Sequence, residues 1–303
     1  MISHMNLNHA RLPISPHPHV AHSLYCISFQ FASVLQVFVI LFCINCTVMV
    51  DCKLAFPQNF VGVIDSGVGG LTILKNLQRL HPDCNFVYLA DSAYCPYGTK
   101  TFEKIFARVS TLVEYLQKAG AAAVVLACNT ASIFADALRS KFAVPIYDVI
   151  VPTCKLVVSN TATKRVALLA TNATVKSGAY AQLLNGCGVT VTSFSCSSFV
   201  PFVEQNAVNT PQCEAAVQAA LHTLPQCNVD SVILGCTHFP VLKNKIAPYA
   251  NGAKIIECCT DFSPTFCTAK KHEKTQFFTT GVRKNAILAS KWYGNVRFLH
   301  LNL

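Results

Sequence analysis

From Phe60 onward the sequence alternates short apolar runs with longer stretches whose apolar residues recur every three or four positions. An apolar run of four to six residues bounded by turn residues reads as a strand buried on both faces. The amphipathic stretches between such runs read as crossover helices. Strands are expected at 61–64, 86–90, 123–127 and 145–147, and helices at 71–80, 102–119 and 131–142. In the first helix Leu71, Leu74, Leu77 and Leu80 fall on one face. A β-α-β-α order of this kind implies a parallel sheet with helices on both faces.

The order then repeats. Strands are expected at 165–170, 189–193 and 231–234, with helices at 177–184 and 211–221. VGVIDSG pairs in pattern with VALLATNAT, and AVVLACNT with SVILGCTH, which suggests an internal duplication. A last strand at 276–280 and a helix at 285–292 are placed to return and pack on the first unit. The expected fold class is α/β: two pseudo-symmetric parallel-sheet domains. The expected division is 59–152 plus 262–303 for the first domain and 153–261 for the second, preceded by an extension over 1–58.

That extension is a separate problem. Residues 12–50 contain no Asp, Glu, Lys or Arg, and 34–50 (VLQVFVILFCINCTVMV) is nearly all apolar. A membrane anchor or signal segment, an over-extended start ahead of Met49, and an extra packed helix are the three readings. The lack of flanking basic residues, with Arg11 alone before the run, weighs against an anchor. Elsewhere, 24 Lys+Arg against 14 Asp+Glu leave a net charge of +10 without a dense basic run, so nucleic-acid binding is not expected. The 16 cysteines lie in apolar runs and at strand ends rather than at regular spacings. That distribution points to a reducing compartment where most of them act as small hydrophobes.

Three apolar runs end in polar residues: Ile64-Asp65-Ser66-Gly67, Ala127-Cys128-Asn129-Thr130 and Gly235-Cys236-Thr237-His238. In open parallel sheets ligands bind beyond the carboxyl ends of strands, where helix-opening N–H groups favour anions and thiolates. Each cysteine is therefore expected where its pKa can fall below the free value of about 8.5. A cysteine ending a buried strand is ordinarily packing, but two in matching contexts suggest a paired role. Gly67-Val68-Gly69-Gly70 lacks a nucleotide-loop pattern and reads as a tight strand-to-helix turn. Cys236-x-His238, even with Cys258-Cys259 and Cys267…His272 nearby, lacks zinc-doublet spacing, so no metal is expected. His238 reads as an acid/base or hydrogen-bonding partner of Cys236, or as a structural histidine. A Cys–His hydrolase would explain only one of the two cysteines.

These stretches together resemble one family. VGVIDSGVGG (61–70), ADSAYCPYGTK (90–100), ACNTAS (127–132), PIYDVIVP (145–152), FVPFVE (199–204) and LGCTHFP (234–240) are similar to the cofactor-independent glutamate racemases of the aspartate/glutamate racemase superfamily. The likeness runs from about 60 to 292. It adds to the α/β fold an active site in the cleft between the two domains. It implies interconversion of L- and D-glutamate for peptidoglycan synthesis, without cofactor, in the bacterial cytoplasm, by a homodimer with no need of membrane or nucleic acid. By resemblance Cys128 handles the proton on the D-glutamate side and Cys236 on the L-glutamate side. Asp65 and His238 match the residues that assist these thiols, and Glu204 the carboxylate near the second. Ser66, Tyr97, Gly98, Asn129, Thr130 and Thr237 match substrate-binding positions. Ser195–Ser198 (SCSS), Glu257-Cys258-Cys259 and Thr280-Gly281-Val282 depart from the family pattern. An aspartate racemase and a non-catalytic binding relative are the alternatives.

The residue chemistry agrees with the resemblance. Racemisation takes the α-proton from one face and returns a proton to the other, which calls for two acid/base groups of similar type. Without an electron-sink cofactor, the carbanion needs preorganised N–H and hydroxyl donors in a dry cleft.

Overall fold

A computed structural model describes residues 56–263, 275–294 and 296–303. All but the last few residues of the 1–58 extension lie outside the described residues, as do Cys267 and His272.

The first sheet opens with β1 (Phe60–Asp65), followed by α1 (Leu71–Leu80), β2 (Asn85–Ala90), α2 (Phe102–Lys118), β3 (Ala123–Leu126), the short helices α3 (Asn129–Ser132) and α4 (Ala135–Lys141), and β4 (Ile146–Tyr147). The helix α5 (Ile150–Asn160) leads to β5 (Arg165–Ala170), α6 (Asn172–Ser177), α7 (Ala179–Gly186), β6 (Thr190–Ser195), α8 (Phe199–Glu204), α9 (Pro211–Leu221), β7 (Ser231–Gly235), α10 (Lys243–Ile246) and β8 (Lys254–Glu257). The chain closes with β9 (Gln276–Thr279), α11 (Arg283–Ala289) and β10 (Phe298–His300).

The strand order is β10-β9-β2-β1-β3-β4 in one sheet and β6-β5-β7-β8 in the other. Every pairing is parallel. The segment β2-β1-β3-β4 and the whole of β6-β5-β7-β8 share one order, so the sequence pairing of β1 with β5 and of β3 with β7 is a pairing of topologically equivalent strands. As expected, β9 returns to the first sheet, beside β2. All six residues of β1 and of β2 are buried, which is why these runs carry no polar alternation. The edge strand β6 (TVTSFS) has no fully buried residue, and its hydroxyls suit a solvated edge.

The differences from the sequence reading lie at helix ends. Leu80 is 56% exposed although it shares a face with Leu71, Leu74 and Leu77; α1 stops there, and Ile73 is buried instead. The helix expected over 131–142 is two pieces. The one expected over 177–184 is also two, divided by Gly178, whose φ of 69° is left-handed and ends α6. α5 was not anticipated because its Pro152 reads as a breaker. It lies in the first turn, where proline is tolerated. The Asp148 carboxylate accepts the N–H groups of Ile150 at 2.8 Å and Val151 at 3.0 Å, and so starts the helix. Among the described residues, no helix is long and apolar enough to cross a membrane.

Candidate active site

The carboxyl ends of β1, β3 and β7 deliver the three polar tripeptides to one place. Asp65 ends β1 with its side chain fully buried. Its Oδ2 accepts the Gly67 N–H at 3.0 Å, and its Oδ1 accepts the Thr237 hydroxyl at 3.0 Å from the other sheet. Burial raises the Asp65 carboxyl from 3.8 to about 6, against the lowering effect of His238 and the Gly67 and Gly70 N–H groups.

The glycine turn between β1 and α1 packs closely against side chains of α8 and of the turn after β7. A Cβ on Gly67 would overlap the Glu204 carboxylate, and one on Gly69 would stand 2.7 Å from both His238 Nδ1 and Thr237 Oγ1. In the same turn the Val68 N–H donates to Glu204 Oε1 at 2.8 Å. Glu204 is carried by α8, a helix the sequence reading did not anticipate.

Cys236 follows β7. Its Sγ lies 3.6 Å from His238 Nδ1, and the opposite ring nitrogen, Nε2, lies 2.6 Å from Glu204 Oε1. Burial disfavours a charged ring here, yet the hydrogen bonds with Cys236 and Glu204 hold the His238 pKa well above the usual range. A thiol, an imidazole and a carboxylate thus stand in line. Such a row can pass a proton to and from sulfur.

Cys128 follows β3, with its Sγ 3.7 Å from Ser66 Oγ. Here the sequence expectation is reversed. Burial pushes the thiol up to about 12, and the nearby Asp65 adds to that rise; the Ala131 N–H at the opening of α3 lowers it by less. Four residues of helix supply too little field to offset full desolvation. A charge on Cys236 also raises Cys128, so the two thiols are within electrostatic reach of each other.

The other expected residues line the same junction. Asn129 Oδ1 lies 2.6 Å from the Tyr180 hydroxyl and 3.3 Å from Cys258 Sγ, while its buried amide nitrogen has no partner among the described residues. Thr130 Oγ1 joins Thr171 at 3.0 Å and Thr174 at 3.3 Å. The Tyr97 hydroxyl donates to Asp91 at 2.6 Å, inside a buried network in which Arg108 and Thr280 also donate to Asp91. The Tyr97 hydroxyl is therefore committed to Asp91. Gly98 lies where a Cβ would come 2.6 Å from Thr171 Cβ. Thr171, Thr174, Tyr180 and Cys95 were not singled out from sequence, and Cys258 entered there only as a possible metal ligand and as a departure from the family pattern. Only Thr171 had a signal, since the pairing of VGVIDSG with VALLATNAT sets it opposite Ser66.

The description "Asp/Glu/Hydantoin racemase" matches residues 61–260. A glutamate racemase of Shouchella clausii is 33% identical over 260 residues, covering 80% of this chain and 94% of that protein. The chain belongs to the Asp/Glu/hydantoin racemase family. Among solved structures, a glutamate racemase of Bacillus anthracis superposes with a TM-score of 0.73 at 27% identity, covering 81% of this chain and 97% of that one. A glutamate racemase of Francisella tularensis in complex with D-glutamate gives 0.69 at 29% identity, again covering 81% and 97%.

Within this family member, Cys95 is a third thiol at the site. Its Sγ, a Glu204 oxygen and a His238 ring nitrogen all lie within 4.8 Å of one another. Burial, then the charges of Glu204 and Asp65, push the Cys95 pKa far up. The metal grouping weighed from sequence spacing was centred on Cys236-x-His238; this cluster shares His238 with it and takes its other two donors from Cys95 and Glu204.

Proposed function

We propose that the chain is a glutamate racemase that moves the α-proton between Cys128 and Cys236 without a cofactor. The observation that carries this reading is the pair of buried thiols at equivalent strand ends of two like sheets, each with its own acid/base neighbours. From L-glutamate, Cys236 as thiolate takes the α-proton, and the Cys128 thiol returns a proton to the opposite face. His238, anchored by Glu204, lies against the Cys236 sulfur and can exchange a proton with it. Cys128, raised to about 12, is held as the thiol that the donor step needs. For the reverse direction Cys128 must be the thiolate. Asp65, with a carboxyl near 6, can then hold a proton beside it. Asn129, Thr130, Thr237 and Ser66 supply donors for the substrate carboxylates and for charge on the carbanion. Gly98 and the Tyr97 ring shape the adjoining wall.

The same proposal includes the domain division 59–152 plus 262–303 against 153–261. It also includes supply of D-glutamate for peptidoglycan in a bacterial cytoplasm, and a homodimer.

The test is incubation of the full chain with L-glutamate in heavy water without added cofactor. Decay of optical rotation together with deuterium at the α-carbon is expected, with both signals from racemisation lost in Cys128→Ala and in Cys236→Ala. Turnover of aspartate but not glutamate would overturn the substrate assignment. Racemisation surviving either single substitution would overturn the two-thiol mechanism.

A further inference from the structure

We propose that Cys95, Glu204 and His238 form a binding site for a borderline-soft divalent cation, Zn²⁺ being the best match, and that filling it inhibits the enzyme. The three donors come from distant parts of the chain: the loop after β2, the last residue of α8 and the turn after β7. They converge so that one atom of each lies within 4.8 Å of the others. Thiolate, imidazole and carboxylate are the ligand types zinc selects. At usual zinc bond lengths, tetrahedral donors stand roughly 3.3–3.6 Å apart. The Glu204–His238 pair, now at 2.6 Å, would open by less than 1 Å to admit the ion. Closing the other separations takes on the order of 1 Å. Glu204 can make that movement, because its side chain is 18% exposed whereas that of His238 is 1% exposed.

The surroundings of the site fit a metal. Ring nitrogen Nδ1 of His238 is already oriented by Cys236 at 3.6 Å and Thr237 at 3.5 Å, leaving Nε2 for the ion. The Val68 N–H at 2.8 Å steadies the Glu204 carboxylate. Partners of this kind fix the orientation of metal ligands. Access is open as well: Cys95 and Glu204 line one cavity of about 290 Å³, with Pro96, Val200, Gln205 and Asn285 among its walls. A fourth coordination position facing that cavity could hold water. On binding, the Cys95 thiol proton and any proton on His238 Nε2 are released to solvent, bonds from sulfur, nitrogen and oxygen to the ion form, and no other covalent bond breaks. The ion would then replace the hydrogen bond between His238 and Glu204, disconnecting Cys236 from its proton partner. Inhibition rests on the racemase reading given above; binding does not.

Cobalt(II) serves as the spectroscopic probe, added to the full chain after chelator treatment. A thiolate-to-cobalt charge-transfer band is expected in wild type and in Cys128→Ala, absent in Cys95→Ala and Cys95→Ser, and removed by added Zn²⁺. In parallel, Zn²⁺ should suppress racemisation by wild type, and Cys95→Ala and Cys95→Ser, each measured against its own metal-free activity, should need at least about tenfold more Zn²⁺ for the same fractional loss. Circular dichroism of both variants checks that they fold. No band in wild type, an undiminished band in folded Cys95 variants, or loss of the band in Cys128→Ala would overturn the site; the last two would place the metal on the other thiols. A Cys95-dependent band in a protein without racemase activity would uphold the site and overturn the inhibitory role.

Discussion

Asp65→Asn should stabilise the protein at neutral pH while abolishing racemisation. The Asp65 side chain is fully buried, and burial is the main reason its carboxyl rises from 3.8 to about 6. Above that pH the folded protein holds a carboxylate that the unfolded chain ionises more readily. A rise of about two pKa units corresponds to about 3 kcal/mol. Because the folded value is the higher one, the stability linked to Asp65 is complete below about pH 4 and is lost as pH rises through about 6. About 2 kcal/mol of it disappears between roughly pH 4.5 and 7.5. Asparagine does not titrate. The unfolding free energy of the variant minus that of wild type should therefore grow by about 2 kcal/mol across the same interval. The geometry can survive the change. The amide oxygen can accept the Gly67 N–H, and the amide nitrogen can donate to the Thr237 hydroxyl, which rotates to accept. Urea unfolding of both proteins at both pH values, followed by circular dichroism, measures the difference. A difference that stays flat or shrinks with rising pH would refute the reasoning, because burial of the charge would then not be what sets the Asp65 carboxyl. The heavy-water assay should show the variant inactive, since an amide cannot hold a proton for Cys128.

Three further outcomes are expected. Gly69→Ala places a Cβ 2.7 Å from the buried His238 Nδ1 and Thr237 Oγ1, so kcat should fall by roughly 100-fold and stability by about 1–3 kcal/mol; near-normal turnover would count against the close approach. Asp91→Ala leaves the buried Arg108 guanidinium without its paired carboxylate and should cost about 3–5 kcal/mol in chemical denaturation. Gly178→Ala forces a side chain onto a φ of 69° and should cost about 1–2 kcal/mol, read from the same curves.

Much of the fold was legible because buried parallel strands leave a strong mark. β1, β2, β5, β7 and β9 are apolar runs closed by turn residues, and each was found within a residue or two. The internal repeat was legible for the same reason, since equivalent strands of like sheets need like patterns. What escaped was short or depended on a distant partner. β8 and β10 are four and three residues long. The helix carrying Glu204 and the one beginning after Asp148 hold prolines that local rules read as breaks; the Asp148 carboxylate caps the second, and burial of Phe199, Val200 and Val203 accompanies the first.

The site divides along the same line. The sequence alone determined that Cys128 and Cys236 end equivalent strands and that Asn129, Thr130, Thr237 and His238 stand beside them, because side chains just past a strand end follow directly from the strand itself; Asp65, at the end of another strand, joins them only through the fold. Tertiary structure decided their electrostatics. The opening of α3 suggested a lowered thiol at Cys128, but full burial beside Asp65 raised it, since desolvation depends on everything packed around an atom and not on its neighbours in sequence. Tertiary structure alone also brought Glu204 to His238 across 34 residues and Cys95 to both. No spacing rule anticipates donors that meet only when the two sheets close on each other.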